Sequence, residues 1–195
     1  IISILTFSLT ILFSVAPVHA EESSAKQYDV TVSLVNIGEI NKQIGTYELD
    51  FWYSIYSEGD DLLINPPPEV DFINGKDEQF SSEYLASNIF EQRVRGTFVN
   101  NMDFHDFPFE KINLKIDIEP VTPWNTDHVK LAIDPASGID STANVPGWYV
   151  SDPKFSVTEH SYGQSGEEYS RYTAEFSVER SSLGSFLKII FPVLI

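Results

Sequence analysis

The chain reads FHDFPFEKINLKIDIE over residues 104–119, and this stretch decides the fold class. From residue 111 to 119 every second side chain is isoleucine or leucine, and those between are polar or charged. A period of two is typical of a β-strand with one buried face. The preceding Phe-Pro-Phe turn is apolar, and aromatic side chains on a surface turn pack poorly against their own domain. We therefore expect the turn to contact another part of the protein.

The same alternation predicts strands along most of the chain. Proline and glycine clusters at 59–68, 134–147 and 163–166 separate the alternating runs, and no segment before residue 184 has a helical period. We therefore predict an all-β fold, an immunoglobulin-like β-sandwich. The predicted strands cover residues 29–34, 46–57, 88–98, 111–119, 129–133, 148–157 and 169–179.

The two ends predict an exported, membrane-tethered domain. Residues 1–20 are apolar, carry no Asp, Glu, Lys or Arg, and end in Val-His-Ala, which favours a signal peptide over an N-terminal anchor. Residues 21–183 would form the β-sandwich. Residues 184–195 are almost continuously apolar and too few to cross ~30 Å of hydrocarbon, so we expect them to begin a transmembrane helix. A terminal core strand is the alternative.

The amino-acid composition limits what stabilises the chain and what it can bind. The 195 residues carry a net charge of −17 and contain no cysteine. An exported chain without cysteine has no disulfide scaffold, so burial must stabilise it. The excess of carboxylates makes nucleic-acid binding unlikely, because a phosphate backbone would be repelled. It suits a domain that concentrates cations, although solubility alone would explain it equally well.

Residues 107–110, Phe-Pro-Phe-Glu, resemble the signature loop of the pentameric ligand-gated ion channels, the Cys-loop receptor superfamily. The family pattern reads Phe-Pro-Phe-Asp and is flanked by two cysteines, where this chain has Asn100 and Leu114. Absence of that pair resembles the prokaryotic branch. Residues 68–74 are similar to binding loop A, Arg180 to the arginine that ends the last extracellular strand, and residues 191–194 to the start of the first membrane helix.

The resemblance implies the extracellular ligand-binding domain of a channel subunit. Such a subunit would form a homopentamer in the prokaryotic inner membrane, with this domain on the periplasmic or extracellular side, and would respond to a small-molecule or ionic agonist bound between subunits. Loop A implies Phe72, Ile73 and Asn74, and loop C spans residues 158–169. For each aromatic residue, core packing is the alternative. The implied ligand-binding residues are Phe51, Trp52, Phe72, Phe98, Glu119, Val121, Trp124, Tyr162 and Tyr169.

The resemblance also implies residues that couple ligand binding to the pore. Glu110 and Arg180 resemble a charged pair at the junction with the membrane, and Glu39, in the turn before Gly45, would be its third member. Burial would make each charge depend on its partner; ordinary surface charges are the alternative. The complete implied set is Glu39, Phe107, Pro108, Phe109, Glu110, Arg180 and Pro192.

Other classes of function find less support in the residues. The chain has no thiol, no Gly-x-Ser-x-Gly, no His-Glu-x-x-His and no glycine-rich phosphate loop, so we predict neither an enzyme nor a cofactor. Residues 134–140 offer oxygen ligands for calcium but lack the full loop pattern, and we predict no metal site there. The competing function is an exported, membrane-anchored β-sandwich binding module without channel activity.

Overall fold

The computed structural model describes residues 24–101, 111–141, 143, 148–163 and 166–180, apart from the side chains of Asp152 and Arg180. This part of the chain is all-β, as predicted, and none of its residues forms a helix. The strands are β1 (Lys26–Asn41), β2 (Thr46–Tyr56), β3 (Val70–Phe72), β4 (Gly75–Leu85), β5 (Ile89–Val99), β6 (Lys111–Pro120), β7 (Val129–Ile133), β8 (Gly138–Ile139), β9 (Trp148–Ser161) and β10 (Glu168–Arg180).

The strands form two sheets. The larger has the order β4-β5-β2-β1-β7, with β8 added to β1, and the smaller has the order β3-β6-β10-β9. Neighbouring strands are antiparallel except that β7 and β8 both run parallel to β1. Because β7 and β8 follow β6 but return to the first sheet, the chain crosses between the sheets there.

The apolar faces of the two sheets meet in one core. The inward positions of β2 are all less than 4% exposed, and the isoleucines and leucine of β6 face them across the sandwich. Rings of Phe51, Phe72 and Phe98 pack edge-on or tilted at centroid distances of 5.6–6.3 Å. The core predicted for the last strand is also confirmed, since Tyr172, Ala174, Phe176 and Val178 are fully buried.

A polar clamp joins the sheets in the middle of this core. The hydroxyl of Tyr47 donates to the carbonyl of Lys115 at 2.6 Å and accepts the N–H of the same residue at 2.9 Å. The side chain of Asn74 donates to that carbonyl at 2.8 Å and accepts the N–H of Asp117 at 3.0 Å. These bonds fix the turn between β3 and β4 against β6 and thereby position Ile73.

The predicted strands are confirmed: β1, β6, β9 and β10 are longer than predicted, β7 has the predicted bounds, and β2 and β5 differ from theirs by at most one residue at either end. Sequence reasoning missed β3, β4 and β8. In β4 most side chains are exposed, so no alternation marks the strand. Asp77 and Ser82 have positive φ, and the pairing of β4 with β5 shifts register twice. Such irregularity is typical of an edge strand. Residues 65–69 form no strand, as the proline run predicted.

The remaining predictions concern Glu39 and the two ends of the chain. Glu39 does not lie in the turn before Gly45, because β1 continues to Asn41 and the turn comprises residues 42–45. The predicted signal peptide and the predicted membrane helix from residue 184 lie outside the described residues. Within the described ranges, no helix has the length and apolar character needed to cross a membrane.

Candidate functional site

The end of β6, the turn after it and the turn between β9 and β10 surround an open cleft of about 330 Å³. Pairing of β10 with both β6 and β9 brings the three segments to the same end of the smaller sheet. The residue after β3 closes another side. The cleft is lined by Asp71, Ile73, Glu119, Pro120, Val121, Thr122, Tyr162, Glu167 and Tyr169.

Glu119 organises the cleft although it is almost completely buried. It points away from the apolar core, and its residue is only 2% exposed. Its Oε1 pairs with Nε of Arg171 on the adjacent β10, and its Oε2 accepts a hydrogen bond of 2.7 Å from the hydroxyl of Tyr162. A buried carboxylate requires such partners, since an unpaired charge is costly away from water. Glu119 therefore holds the β9–β10 turn against β6.

Three aromatic rings of the β9–β10 hairpin pack together, and two of them, Tyr162 and Tyr169, line the cleft. The ring of Tyr162 lies edge-on to His160 at 4.8 Å and to Tyr169 at 5.8 Å between centroids. The Tyr169 hydroxyl lies 2.9 Å from Oγ1 of Thr122 and donates to Glu167 at 3.2 Å. Tyr169 is buried, whereas Tyr162 remains 41% exposed and is the ring that solvent or a ligand can reach.

The hairpin is tighter than the loop predicted for residues 158–169. Pairing of β9 with β10 continues to Ser161 and Glu168, which leaves residues 162–167 as the connection. The Tyr162 N–H donates to the carbonyl of Glu167 at 3.1 Å and extends the ladder by one step. The position of Tyr162 is consequently fixed by backbone hydrogen bonds next to the cleft.

The contacts in the cleft determine the protonation states of Tyr162 and Arg171. Partial burial, and then the hydrogen bond to Glu119, raise the pKa of the Tyr162 phenol above its usual value. Burial alone would lower the pKa of Arg171, but its hydrogen bond and attraction to Glu119 raise it overall. The phenol is thus neutral and the guanidinium charged at neutral pH. Since Arg171 compensates Glu119, the carboxylates of Asp71 and Glu167 leave the lining acidic.

Several residues predicted for ligand binding do come together. Ile73 from loop A, Glu119 at the end of β6, Val121 in the turn after it, and Tyr162 and Tyr169 from the hairpin all line the cleft. They lie up to 96 positions apart in the chain, Ile73 to Tyr169, and the fold alone makes them neighbours. Glu119 lies at the wall of the cleft but is almost completely buried, so little of its side chain is open to a ligand.

The other predicted binding residues lie elsewhere. Phe51, Phe72 and Phe98 are at most 4% exposed and pack in the core, which is the alternative given for each aromatic residue, so their contact with a ligand between subunits stays a prediction. Trp124 is 37% exposed but does not line the cleft. Trp52 is half-buried on the outer face of β2.

Trp52 belongs to a charged patch on the larger sheet. The guanidinium of Arg93 lies 5.8 Å from the centre of the Trp52 ring and donates two hydrogen bonds to Asp50, at 2.7 and 2.8 Å. Arg95 donates a third at 2.8 Å. Burial alone would raise the pKa of Asp50, but these hydrogen bonds lower it below its usual value. The patch is rigid because the three donors occupy both oxygens of one carboxylate.

The predicted coupling residues are only partly described. Glu39 is exposed on β1, and its N–H lies 3.5 Å from Oε2 of Glu48. The backbone of Arg180 pairs with Trp148 at the end of β10, but its side chain lies outside the description. Residues 107–110 and Pro192 also lie outside it. Any contact between Glu110 and Arg180 therefore stays a prediction.

Sequence reasoning missed five residues of the site, namely Asp71, Pro120, Thr122, Glu167 and Arg171. Arg171 could have been found, since it alternates with the inward residues of the last strand and is the one cation on the outward face of that strand before residue 180. Pairing of Tyr172 with Ile118 then places Arg171 beside Glu119. Thr122 and Glu167 lie in turns, whose geometry no period predicts.

No metal centre emerges from the described part of the chain, where no three histidine or carboxylate side chains converge as ligands would. In the segment considered for calcium, Oδ1 of Asp134 instead accepts the N–H of Ala136 at 2.7 Å. Asp134 thus stabilises a turn of the kind that aspartate commonly caps.

Comparison with protein-family models and with curated proteins finds no match in either case.

Proposed function

We propose that the chain is the extracellular ligand-binding domain of a prokaryotic pentameric ligand-gated ion channel subunit, with an immunoglobulin-like sandwich. The observation that carries the proposal is the convergence of Ile73, Glu119, Val121, Tyr162 and Tyr169 on one cleft. Glu119, Val121, Tyr162 and Tyr169 are four of the nine ligand-binding residues that the resemblance implies, and Ile73 belongs to its loop A. The other five lie outside the cleft.

The chemistry of the cleft favours a small ammonium ligand. Three carboxylates and no cationic side chain line it, and the guanidinium of Arg171 is paired with one of these carboxylates, that of Glu119. An ammonium group would gain attraction from Asp71 and Glu167 and a cation–π contact with the exposed face of Tyr162. An anion of the same size would be repelled by the same carboxylates.

The proposed assembly is a homopentamer in the cell membrane, with this domain on the periplasmic or extracellular side and no role for nucleic acid. The cleft is open on one side, and a neighbouring subunit would cover it. The half-buried patch of Asp50, Trp52 and Arg93 on the outer face of the larger sheet is suited to that contact, since aromatic and arginine side chains are enriched at interfaces.

In the proposed mechanism, the ligand biases the position of the β9–β10 hairpin. Tyr162 and Arg171 tie the hairpin to β6 through Glu119, and β10 then runs to Arg180. Thirteen residues at ~3.3 Å each span roughly 40 Å, enough to connect the cleft with the far end of the sandwich. A ligand that binds one arrangement more tightly shifts the population toward it, and the junction at Glu110 and Arg180 would transmit that shift to the pore.

Two measurements test this function. Sequencing of the gene downstream of the codon for Ile195 should reveal further hydrophobic spans of ~20 residues, as a channel requires. Native mass measurement of the complete gene product in detergent should give five copies. A stop codon at that point, or a monomer in detergent, would favour the anchored binding module instead.

A further inference from the structure

A second pocket, separate from the acidic cleft, lies between the proline loop and the larger sheet. It has a volume of about 440 Å³, and its lining is mostly apolar. The short strand β3 divides the two sites, because Val70 and Phe72 face this pocket while Asp71 and Ile73 line the cleft. The lining comprises Tyr53, Ile55, Pro66, Pro67, Pro68, Glu69, Val70, Phe72, Phe80, Glu83, Leu85, Phe90 and Gln92.

Tyr53, which lines the pocket, carries a polar atom without a hydrogen-bond partner. The hydroxyl of Tyr53 is buried and, within the part of the chain that the structure describes, is the one buried side-chain polar atom without a hydrogen-bond partner. Burial raises the pKa of this phenol well above its usual value, so the hydroxyl keeps its proton. Buried hydroxyl groups normally have a partner, and such an exception needs an explanation.

Aromatic side chains stand around the same position. Tyr53 packs edge-on against Phe72 at 5.9 Å and Phe90 at 6.5 Å, and Phe80 lies 6.3 Å from Phe72. Phe80 and Leu85 are nevertheless 54% and 39% exposed, which leaves apolar surface at the edge of the pocket uncovered. Glu69 and Glu83 are the charged residues of the lining, so the pocket disfavours carboxylates.

We propose that this pocket binds a small, uncharged aromatic molecule with one hydrogen-bond acceptor. The ring packs among Tyr53, Phe72 and Phe80, and the acceptor takes the proton of the Tyr53 hydroxyl. The combination of an apolar cavity with one convergent polar group is typical of small-molecule sites. The proposal is independent of the channel function, because the pocket shares no lining residue with the acidic cleft.

Binding of three probes to the purified 195-residue chain tests the proposal by saturation-transfer NMR. Acetophenone has the ring and the acceptor, ethylbenzene has the ring alone, and benzoate carries a negative charge. We expect saturable binding of acetophenone, weaker binding of ethylbenzene and none of benzoate. Tyr53→Phe should weaken acetophenone roughly three- to tenfold, the range of one hydrogen bond, and leave ethylbenzene unchanged.

Two further variants control for folding and location. Tyr84→Phe changes an exposed tyrosine of the same β4 segment that does not line the pocket, and should bind all probes as the original chain does. Leu85→Trp fills the mouth at a partly exposed position and should abolish binding of both neutral probes. The proposal would be overturned if acetophenone did not bind the original chain. It would also be overturned if acetophenone bound Tyr53→Phe as tightly as the original chain, or still bound Leu85→Trp.

Discussion

The hydroxyl of Tyr162 donates a hydrogen bond of 2.7 Å to Oε2 of Glu119, and this bond links the β9–β10 hairpin to the end of β6. The other oxygen of the same carboxylate is held by Arg171. A single buried group therefore fixes both the exposed ring of the cleft and the strand that leads away from it. Its partners can be removed one at a time, which makes the arrangement testable.

Removal of the cation should destabilise the chain strongly. Arg171→Gln leaves Glu119 buried without its charged partner, for which the expected loss is about 3–5 kcal/mol in the free energy of unfolding. The double variant with Glu119→Gln should lose less than the sum of the two single changes, since the pair is removed as a unit. Denaturant unfolding measures both.

The matched control for that cycle is an exposed pair on the same sandwich. Lys130 and Glu159 lie 3.7 Å apart, and both side chains are more than half exposed. Lys130→Gln should change the unfolding free energy by no more than ~1 kcal/mol. Additive losses at Glu119 and Arg171, or equal losses at the two pairs, would mean that the buried pair does not organise the cleft.

Acid should weaken the chain partly through Asp50. Its pKa in the folded state lies below the ordinary value of 3.8, because Arg93 and Arg95 stabilise the carboxylate. The contribution is therefore fully present above about pH 4 and is lost as pH falls through the lower folded-state pKa. Asp50→Asn should lower the unfolding free energy at pH 7 by roughly 2 kcal/mol, since bonds to a charged acceptor are replaced.

The pH profile distinguishes this cause from general acid unfolding. The difference between the original chain and Asp50→Asn should shrink as pH falls below 4. Asp127→Asn, a change at an exposed aspartate, should follow the original profile. If the difference between Asp50→Asn and the original chain were constant from pH 7 to pH 2, the assignment to Asp50 would be wrong.

Tyr53→Phe should stabilise the chain in the absence of any ligand. The change removes a buried hydroxyl without a partner while the ring and its contacts with Phe72 and Phe90 remain. The expected gain is about 1 kcal/mol, the lower end of the cost of burying an unsatisfied polar group. Thermal unfolding measures it, and a loss of stability would show that the hydroxyl is already satisfied.

The core of this fold was predictable because alternation has a direct physical cause. In β2 and β6 one face packs in the apolar core and the other carries mostly polar side chains, so the sequence has a period of two. In β4 neither face is deeply buried, so polar residues fill it and no period remains. Where neither face of a strand is buried, the alternation of apolar and polar residues is absent and cannot predict the strand.

Only the family resemblance predicted part of the candidate cleft from the sequence. Tyr162 and Ile73 were assigned to loops of a known family, and their convergence depends on the pairing of β3 and β10 with β6. The burial of Glu119 was not foreseeable, since alternation places it on the outward face. Its partner Arg171 lies 52 positions later in the chain. The alternation of the last strand shows that Arg171 faces outward, but its pairing with Glu119 depends on a strand register that a single sequence does not reveal.

The predicted junction between the sandwich and the membrane can be tested by a second cycle. Arg180→Gln and Glu110→Gln in the complete gene product should each shift the activation equilibrium at least tenfold, which corresponds to ~1.4 kcal/mol. The double variant should shift it by less than the two changes combined. Folding should survive because the core of β6 and β10 is untouched. Additive shifts would contradict a direct interaction between the two residues.

The most direct test of the proposed function is a recording of amine-evoked current from the complete gene product in a lipid bilayer. Butylamine should open the channel and butanol, which has the same chain but no charge, should not. Tyr162→Ala should raise the half-maximal butylamine concentration about tenfold and leave the maximal current unchanged. The reason is that the variant loses the cation–π contact with the ligand and the hydrogen bond that holds the hairpin to Glu119. Tyr149→Ala, at an exposed tyrosine on β9 outside the cleft, should respond as the original protein does. Absence of any butylamine-evoked current, or equal potency in the Tyr162→Ala and original proteins, would contradict the account.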